Sequence, residues 1–175
     1  MKSEVPRAYA RWLRYEDMNL AAVLALAFAI GVIAGLRSMT APATVSLAAH
    51  WKWFTLQHSG LAFIGSAAAS YIFAAAAIVE LVVDKLPKAP SRKELMGLIA
   101  RVVLGGLSGA TLCAAANQSV ALGAALGGVG GVAGAFAGYE VRMRLVKTLK
   151  VPDFVIAVLE DVVAIGGGFF IASGF

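Results

Sequence analysis

The 175-residue chain is 60% hydrophobic and 14% charged, with a mean hydropathy of +0.82. That leaves too little polar surface to coat a soluble globule, whose charged share is typically about 25%. The formal net charge of +5 comes from 15 basic and 10 acidic residues grouped between apolar runs, which argues for an integral membrane protein and against a nucleic-acid-binding one.

Residues 1–19 carry Lys2, Arg7, Arg11 and Arg14. From Arg7 to Tyr15 the arginines share one helical stripe with Ala8, Trp12 and Tyr15 beside it. This pattern suits an amphipathic helix on an anionic cytoplasmic leaflet, or a plain topology signal. A cleaved signal peptide is not expected, because the apolar run that follows is too long. Five runs reach the roughly 20 apolar residues that a membrane span needs: Leu20 to about Ala49, Leu61 to Val83, Leu95 to Ala116, Val120 to Val141, and Phe154 to Phe175. The expected fold is therefore an all-α integral membrane protein of five transmembrane helices, with residues 1–175 forming a single transmembrane domain.

Basic residues cluster before the first run, after the second (Lys85, Lys88, Arg92, Lys93) and after the fourth (Arg142, Arg144, Lys147, Lys150). The other connections carry only Lys52, and none at Asn117-Gln118-Ser119. By the positive-inside rule this predicts a multi-pass protein of the inner, or cell, membrane with a cytoplasmic amino terminus and an external carboxyl terminus.

A pattern recurs between the halves. Gly31, Gly35 and Arg37 precede Ile78-Val79-Glu80-Leu81-Val82-Val83; Gly134, Gly138 and Glu140 precede Val158-Leu159-Glu160-Asp161-Val162-Val163. One run (95–116) separates the copies, which predicts an inverted repeat of two helices (20–86) plus two (120–175), the third helix serving as connector.

The first run is interrupted. After Gly35-Leu36-Arg37 comes Ser38-Met39-Thr40-Ala41-Pro42-Ala43, where Thr40 can cap and Pro42 can occupy the first turn of a new helix. Freed amides, the positive end of the second half-helix, Arg37, Ser38 and Thr40 would form an anion or phosphate site. The competing interpretation is a simple kink, with Arg37 snorkelling or pairing with an acid.

An arginine deep in a bilayer costs about 2.5–3.5 kcal/mol even on the lenient insertion scale, so it needs a partner. Glu80, Glu140, Glu160 and Asp161 are candidates, with Asp84 expected close to the cytoplasmic surface. Glu160 and Asp161 point about 100° apart on a helix, so only one can face a shared centre. The repeat favours Glu160, which aligns with Glu80. The candidate substrate-binding residues are therefore Arg37, Ser38, Thr40, Glu80 and Glu160, and the candidate coupling residues Glu80, Asp84, Glu160 and Asp161. A purely structural ion-pair network is the alternative.

Gly123, Gly127, Gly131, Gly134 and Gly138 form a ladder in the fourth run, with Gly31 and Gly35, Gly105 and Gly109, and Gly166, Gly167 and Gly168 elsewhere. Close helix packing is their expected role, and a glycine-rich face suggests a homo-oligomer, a dimer by preference. His50 and His58 lie with Trp51 and Trp53 in one connection, where an aromatic belt is the ordinary interpretation. They make no metal site by themselves, and no catalytic constellation can be assembled, so neither an enzyme nor a cofactor is expected.

The stretches Ala34 to Ala43, Glu80 to Pro87 and Leu159 to Ala164 together resemble a family of small bacterial multi-pass membrane proteins without an assigned activity. The resemblance covers nearly the whole chain and brings no substrate. Two functional expectations follow from the residues. One is a small transporter or channel-like protein with a polar intramembrane site, for an anionic or phosphate-bearing substrate and coupled to protons or cations. The other is a non-transporting scaffold or lipid-headgroup-binding protein. Membrane lipids and a small ion are the expected partners.

Overall fold

The computed structural model describes residues 18–57, 59–84, 95–149 and 152–175. The amphipathic stripe of residues 7–15, His58, the basic residues of the 85–94 connection and Lys150 lie outside the described residues. Among the described residues there are six α-helices: α1 (Leu20–Leu36), α2 (Thr40–His50), α3 (Ala67–Val83), α4 (Leu95–Ala115), α5 (Val120–Leu149) and α6 (Asp153–Ser173). A single 3-10 turn at Ala62–Gly65 leads into α3. Helices α4, α5 and α6 are each long and apolar enough to cross a membrane, and α1 and α3 are shorter apolar helices.

Local chemistry sets the helix starts. Asn19 Oδ1 accepts from the Ala22 amide at 2.8 Å to open α1, and Ser66 Oγ accepts from the Ala69 amide at 3.1 Å to open α3. Pro152 precedes the first turn of α6, where its missing N–H costs nothing. Helix α5 continues eight residues past the expected end of its span, carrying Arg142, Arg144 and Lys147 with it.

Helices α1, α4 and α5 pack backbone to backbone. Gly109 lies against Gly123, Gly105 against Gly127, and Gly131 against the Arg101 carbonyl, so α4 and α5 are antiparallel. Gly31 lies against Gly127 and Gly35 against Gly131 and Gly134, so α1 runs parallel to α5. A Cβ added to Gly35 would come within 2.5 Å of the Ala135 amide nitrogen and the Gly131 carbonyl oxygen. The ladder thus has two working edges, 123/127/131 toward α4 and 130/134 toward α1. Both are used inside one chain, so the predicted dimer cannot form through this ladder. The third run is no peripheral connector either, since it forms one wall of the glycine-packed triplet.

The parallel course of α1 and α5 corrects the inverted-repeat expectation, which required these matched helices to run oppositely. The cause is a reversal inside the first apolar run. Along α6, Leu26 meets Gly174, Ile33 meets Gly167 and Arg37 meets Asp161, an antiparallel course for α1. Beyond the break the order inverts: Thr44 meets Gly168, and the rings of Trp51 and Phe54 stand 5.9 Å from those of Phe169 and Phe175. The run from Leu20 to Ala49 is thus two legs of a hairpin rather than one interrupted crossing. The extra reversal puts Leu20 and Phe175 at the same end of the bundle, where opposite faces were expected.

Helix α3 returns beside α2. Ser46 Oγ is 2.5 Å from the Ile64 carbonyl and 3.0 Å from Ser70 Oγ, satisfying two buried hydroxyls between the helices. The aromatic cluster of Trp51, Trp53 and Phe169 closes this end of the bundle. The opposite end holds the α1–α2 break, the end of α3 and the start of α6.

The glycine contacts predict that Gly127→Ala will be severely destabilising. Its new methyl would strike the Gly105 carbonyl, which cannot give way as a side chain can, so the loss should reach or exceed the ~1–3 kcal/mol of ordinary overpacking. Gly166 has nothing within 4 Å of an added Cβ, so Gly166→Ala should leave stability unchanged or raised. Thermal unfolding of both variants in detergent, followed by size-exclusion chromatography, measures the contrast.

Candidate functional site at the helix break

The α1–α2 break gathers charge from three helices. Arg37, with no exposed surface, leaves α1 in extended conformation (φ −141°, ψ 110°), its amide still donating to the Ile33 carbonyl at 2.9 Å. Its guanidinium Nη1 pairs with Asp84 at the carboxyl end of α3, and its Nη2 lies 2.6 Å from Asp161 Oδ1 in the third turn of α6. Glu80, one turn before Asp84, accepts from the Ser38 amide at 2.8 Å, from Ser38 Oγ at 2.5 Å and from the Met39 amide at 2.8 Å.

Glu80 therefore does what Thr40 was expected to do. Thr40 is the first residue of α2 and Met39, the N-cap residue, makes no side-chain cap. A carboxylate from a neighbouring helix fulfils that role, and it is favoured there because the amino-terminal end of a helix carries partial positive charge. The predicted anion cradle is thus filled by the protein's own side chain. The Arg37 guanidinium faces two carboxylates and a third caps the helix beside it, an acid-rich centre rather than an anion trap.

Arg37 pairs with Asp84 and Asp161, not with Glu80 or Glu160 as the repeat alignment suggested. Asp84 was expected at the surface, yet its side chain is only 25% exposed. Asp161 turns to Arg37 and Glu160 to a different arginine: Glu160 Oε2 lies 3.6 Å from Arg142 Nη1. Arg142 also holds Asp153 in a bidentate pair, at 2.8 Å and 2.5 Å. Adjacent acids on one helix thus serve two different arginines, as their ~100° separation allows. Glu140 belongs to neither centre; it makes an exposed pair with Arg144 one turn on.

Two basic residues of this region went unrecognised in the sequence. Arg101, buried in α4, donates Nε to the Gly35 carbonyl at 3.1 Å, satisfying one of the carbonyls that the end of α1 leaves without a helical partner. Arg142 had been counted only as a topology signal. The available clue for Arg101 was its place two turns inside an otherwise apolar run. His50 stacks near Tyr71 at the far end of the bundle, with ring centroids 6.1 Å apart, and no group of three or more metal-binding side chains occurs among the described residues.

Fold and site together define an all-helical, apolar, glycine-packed bundle built around a buried arginine. The chain belongs to the family described as domain of unknown function DUF4126, whose family model matches residues 24–173. No curated protein and no solved structure matches the chain.

Breaking a buried ion pair leaves a stranded charge, which typically costs about 3–5 kcal/mol. Arg37→Ala should lower the melting temperature strongly, and combining it with Asp161→Ala should recover much of the loss. Additive effects in that double-mutant cycle would disprove the coupling. Glu140→Gln removes only an exposed i,i+4 pair and should cost about 0.3–0.5 kcal/mol.

Proposed function

We propose that the chain is a small, non-enzymatic membrane transporter or channel-like protein, and that the Arg37 centre handles its ion. The supporting observation is the gathering of acid at the break: Asp84 and Asp161 both pair with Arg37, which has no exposure to solvent, and Glu80 caps the adjoining start of α2. A network serving only to fix helix packing needs one carboxylate for one guanidinium. A second carboxylate on the same guanidinium leaves the cluster with net negative charge, which attracts a proton or a cation.

The same geometry supports a proton or a cation, rather than an anion, as the substrate. Phosphate or another anion would have to displace Glu80 from the start of α2 and compete with Asp84 and Asp161 for Arg37. A proton or a cation meets no such competition. With Arg142, Arg144 and Lys147 at the break end of the bundle, the positive-inside rule orients that end toward the cytoplasm of a cell membrane. Asp84, the more exposed acid, then lies on the cytoplasmic approach, with Asp161 behind it.

One observation favours the non-transporting alternative. Between α5 and α6 lies a cleft of about 270 Å³, lined by Leu36, Val141, Ile156 and Leu159, with Arg142 and Glu160 among its lining residues. An acyl chain in that cleft with its headgroup near Arg142 would make the protein a lipid-binding scaffold.

Reconstitution into liposomes holding a pH-sensitive dye, with a membrane potential imposed by a potassium gradient and valinomycin, tests the transport reading. Proton or cation flux is expected for the native chain, with loss in Asp84→Asn and Asp161→Asn and no change in Glu140→Gln. Flux equal to that of empty liposomes under proton, sodium and potassium gradients would refute it. Retention of phospholipid through purification, abolished by Arg142→Ala, would then support the scaffold.

A further inference from the structure

Four polar side-chain atoms at the break are buried without a conventional hydrogen bond; Arg37 Nη2 and Asp161 Oδ1 face each other as an ion pair, which leaves Arg37 Nε and Thr40 Oγ1. Thr40 is 2% exposed and Arg37 has no exposure. Leaving such groups unsatisfied typically costs about 1–3 kcal/mol each. The two residues are three apart in the chain and flank one helix break, so a single small molecule is the simplest partner for both. Thr40 lies one turn before Thr44 on α2, and Thr44 meets α6 at Gly168. Two turns back along α6 from Gly168 is Asp161, whose carboxylate stands 2.6 Å from Arg37 Nη2. Thr40 and Asp161 therefore lie toward the same end of the α2–α6 interface, the end that holds Arg37.

We infer that this junction binds one ordered water between Arg37 Nε, Thr40 Oγ1 and the Asp161 carboxylate, and that the water delivers a proton to Asp161. The inference rests on the ion-handling reading above and names its ion. Buried waters typically make about three hydrogen bonds, and these partners suit one: Arg37 Nε–H donates to the water oxygen, while its two O–H groups donate to Thr40 and Asp161. In the transfer, a proton arriving from the Asp84 side bonds to the water oxygen as one of that water's own O–H bonds breaks toward Asp161. Water is regenerated and Asp161 becomes a neutral acid.

A metal cation fits poorly, because a guanidinium presents only N–H donors and a positive charge to the space it would occupy. Among the described residues Arg37 pairs with Asp161 directly; the other charged groups at this end of the bundle are Glu80 and Asp84 at the end of α3, Arg101 on α4, Arg142 on α5 and Glu160 on α6. Of the acids that meet Arg37, Asp161 is the more enclosed, its side chain 10% exposed against 25% for Asp84. Thr40 is in this scheme a positioning residue.

The full chain in liposomes, studied by infrared difference spectroscopy across an acid titration and by dye-reported proton flux, tests this. A protonated-carboxyl band should develop on acidification and vanish in Asp161→Asn. Thr40→Val, close to isosteric, should shift that band and slow flux by up to about tenfold, the upper end of the loss expected for one neutral hydrogen bond, while Thr40→Ser restores both. Should Asp161→Asn fail to fold, the Thr40 pair still decides. A band and flux identical in native chain and Thr40→Val would overturn the water site, as would flux that follows sodium and ignores pH. If no flux occurs at all but the Asp161 band and its Thr40→Val shift persist, the proton site stands and the transport reading falls.

Discussion

The constraint on which the structure turns is the burial of a full positive charge. Removing a guanidinium from water costs several kcal/mol, and attraction to counter-charges offsets this only with close, well-placed acids. Arg37 obtains them from two helices distant in sequence, through Asp84 and Asp161. The end of α1, the end of α3 and the third turn of α6 must therefore meet at one point. The break after Leu36 meets the same demand: its exposed amides need an acceptor, and Glu80 supplies it from the helix that already carries Asp84. Arginine and broken backbone share one solution because their charges attract the same kind of group.

Precise meeting of three helix ends requires a stiff frame, and glycine provides it. In a bilayer the hydrophobic effect does little to drive helix against helix, so association depends on van der Waals contact and hydrogen bonds. With no Cβ at Gly31, Gly105, Gly109, Gly123, Gly127 and Gly134, the backbones of α1, α4 and α5 touch directly. The acids that reach the centre come from α3 and α6, outside this triplet. The close-packed triplet thus positions Arg37, while the acids that pair with it come from the flanking helices.

Around the break the charges form two layers. Arg37 is fully enclosed between Asp84 and Asp161, with Glu80 beside it; Arg142, one-fifth exposed, joins the enclosed Glu160 to the exposed Asp153. Neighbours in sequence, Glu160 and Asp161 belong to different layers because one residue of helix turns a side chain by ~100°. Each layer pairs an arginine from one helix with acids from others, so the identity of each pair depends on helix rotation rather than on depth alone.

The sequence by itself determined whatever depends on composition and on neighbours within a few residues. The helical class, the apolar runs, the break at Arg37 to Pro42, the packing role of the glycines and the need of Arg37 for an acid were all legible, because hydropathy, capping and close-approach chemistry act locally. Helix direction and partner choice were not. The run from Leu20 to Ala49 has the length of an interrupted span, and nothing within it distinguishes a kink from a reversal; the contacts of Leu26, Ile33 and Thr44 along α6 do. Likewise, Glu80 and Glu160 align in sequence, but the rotation of α3 and α6 about their axes sends one to cap α2 and the other to Arg142. Direction and rotation are properties of how helices pack together, so only the tertiary structure could decide them.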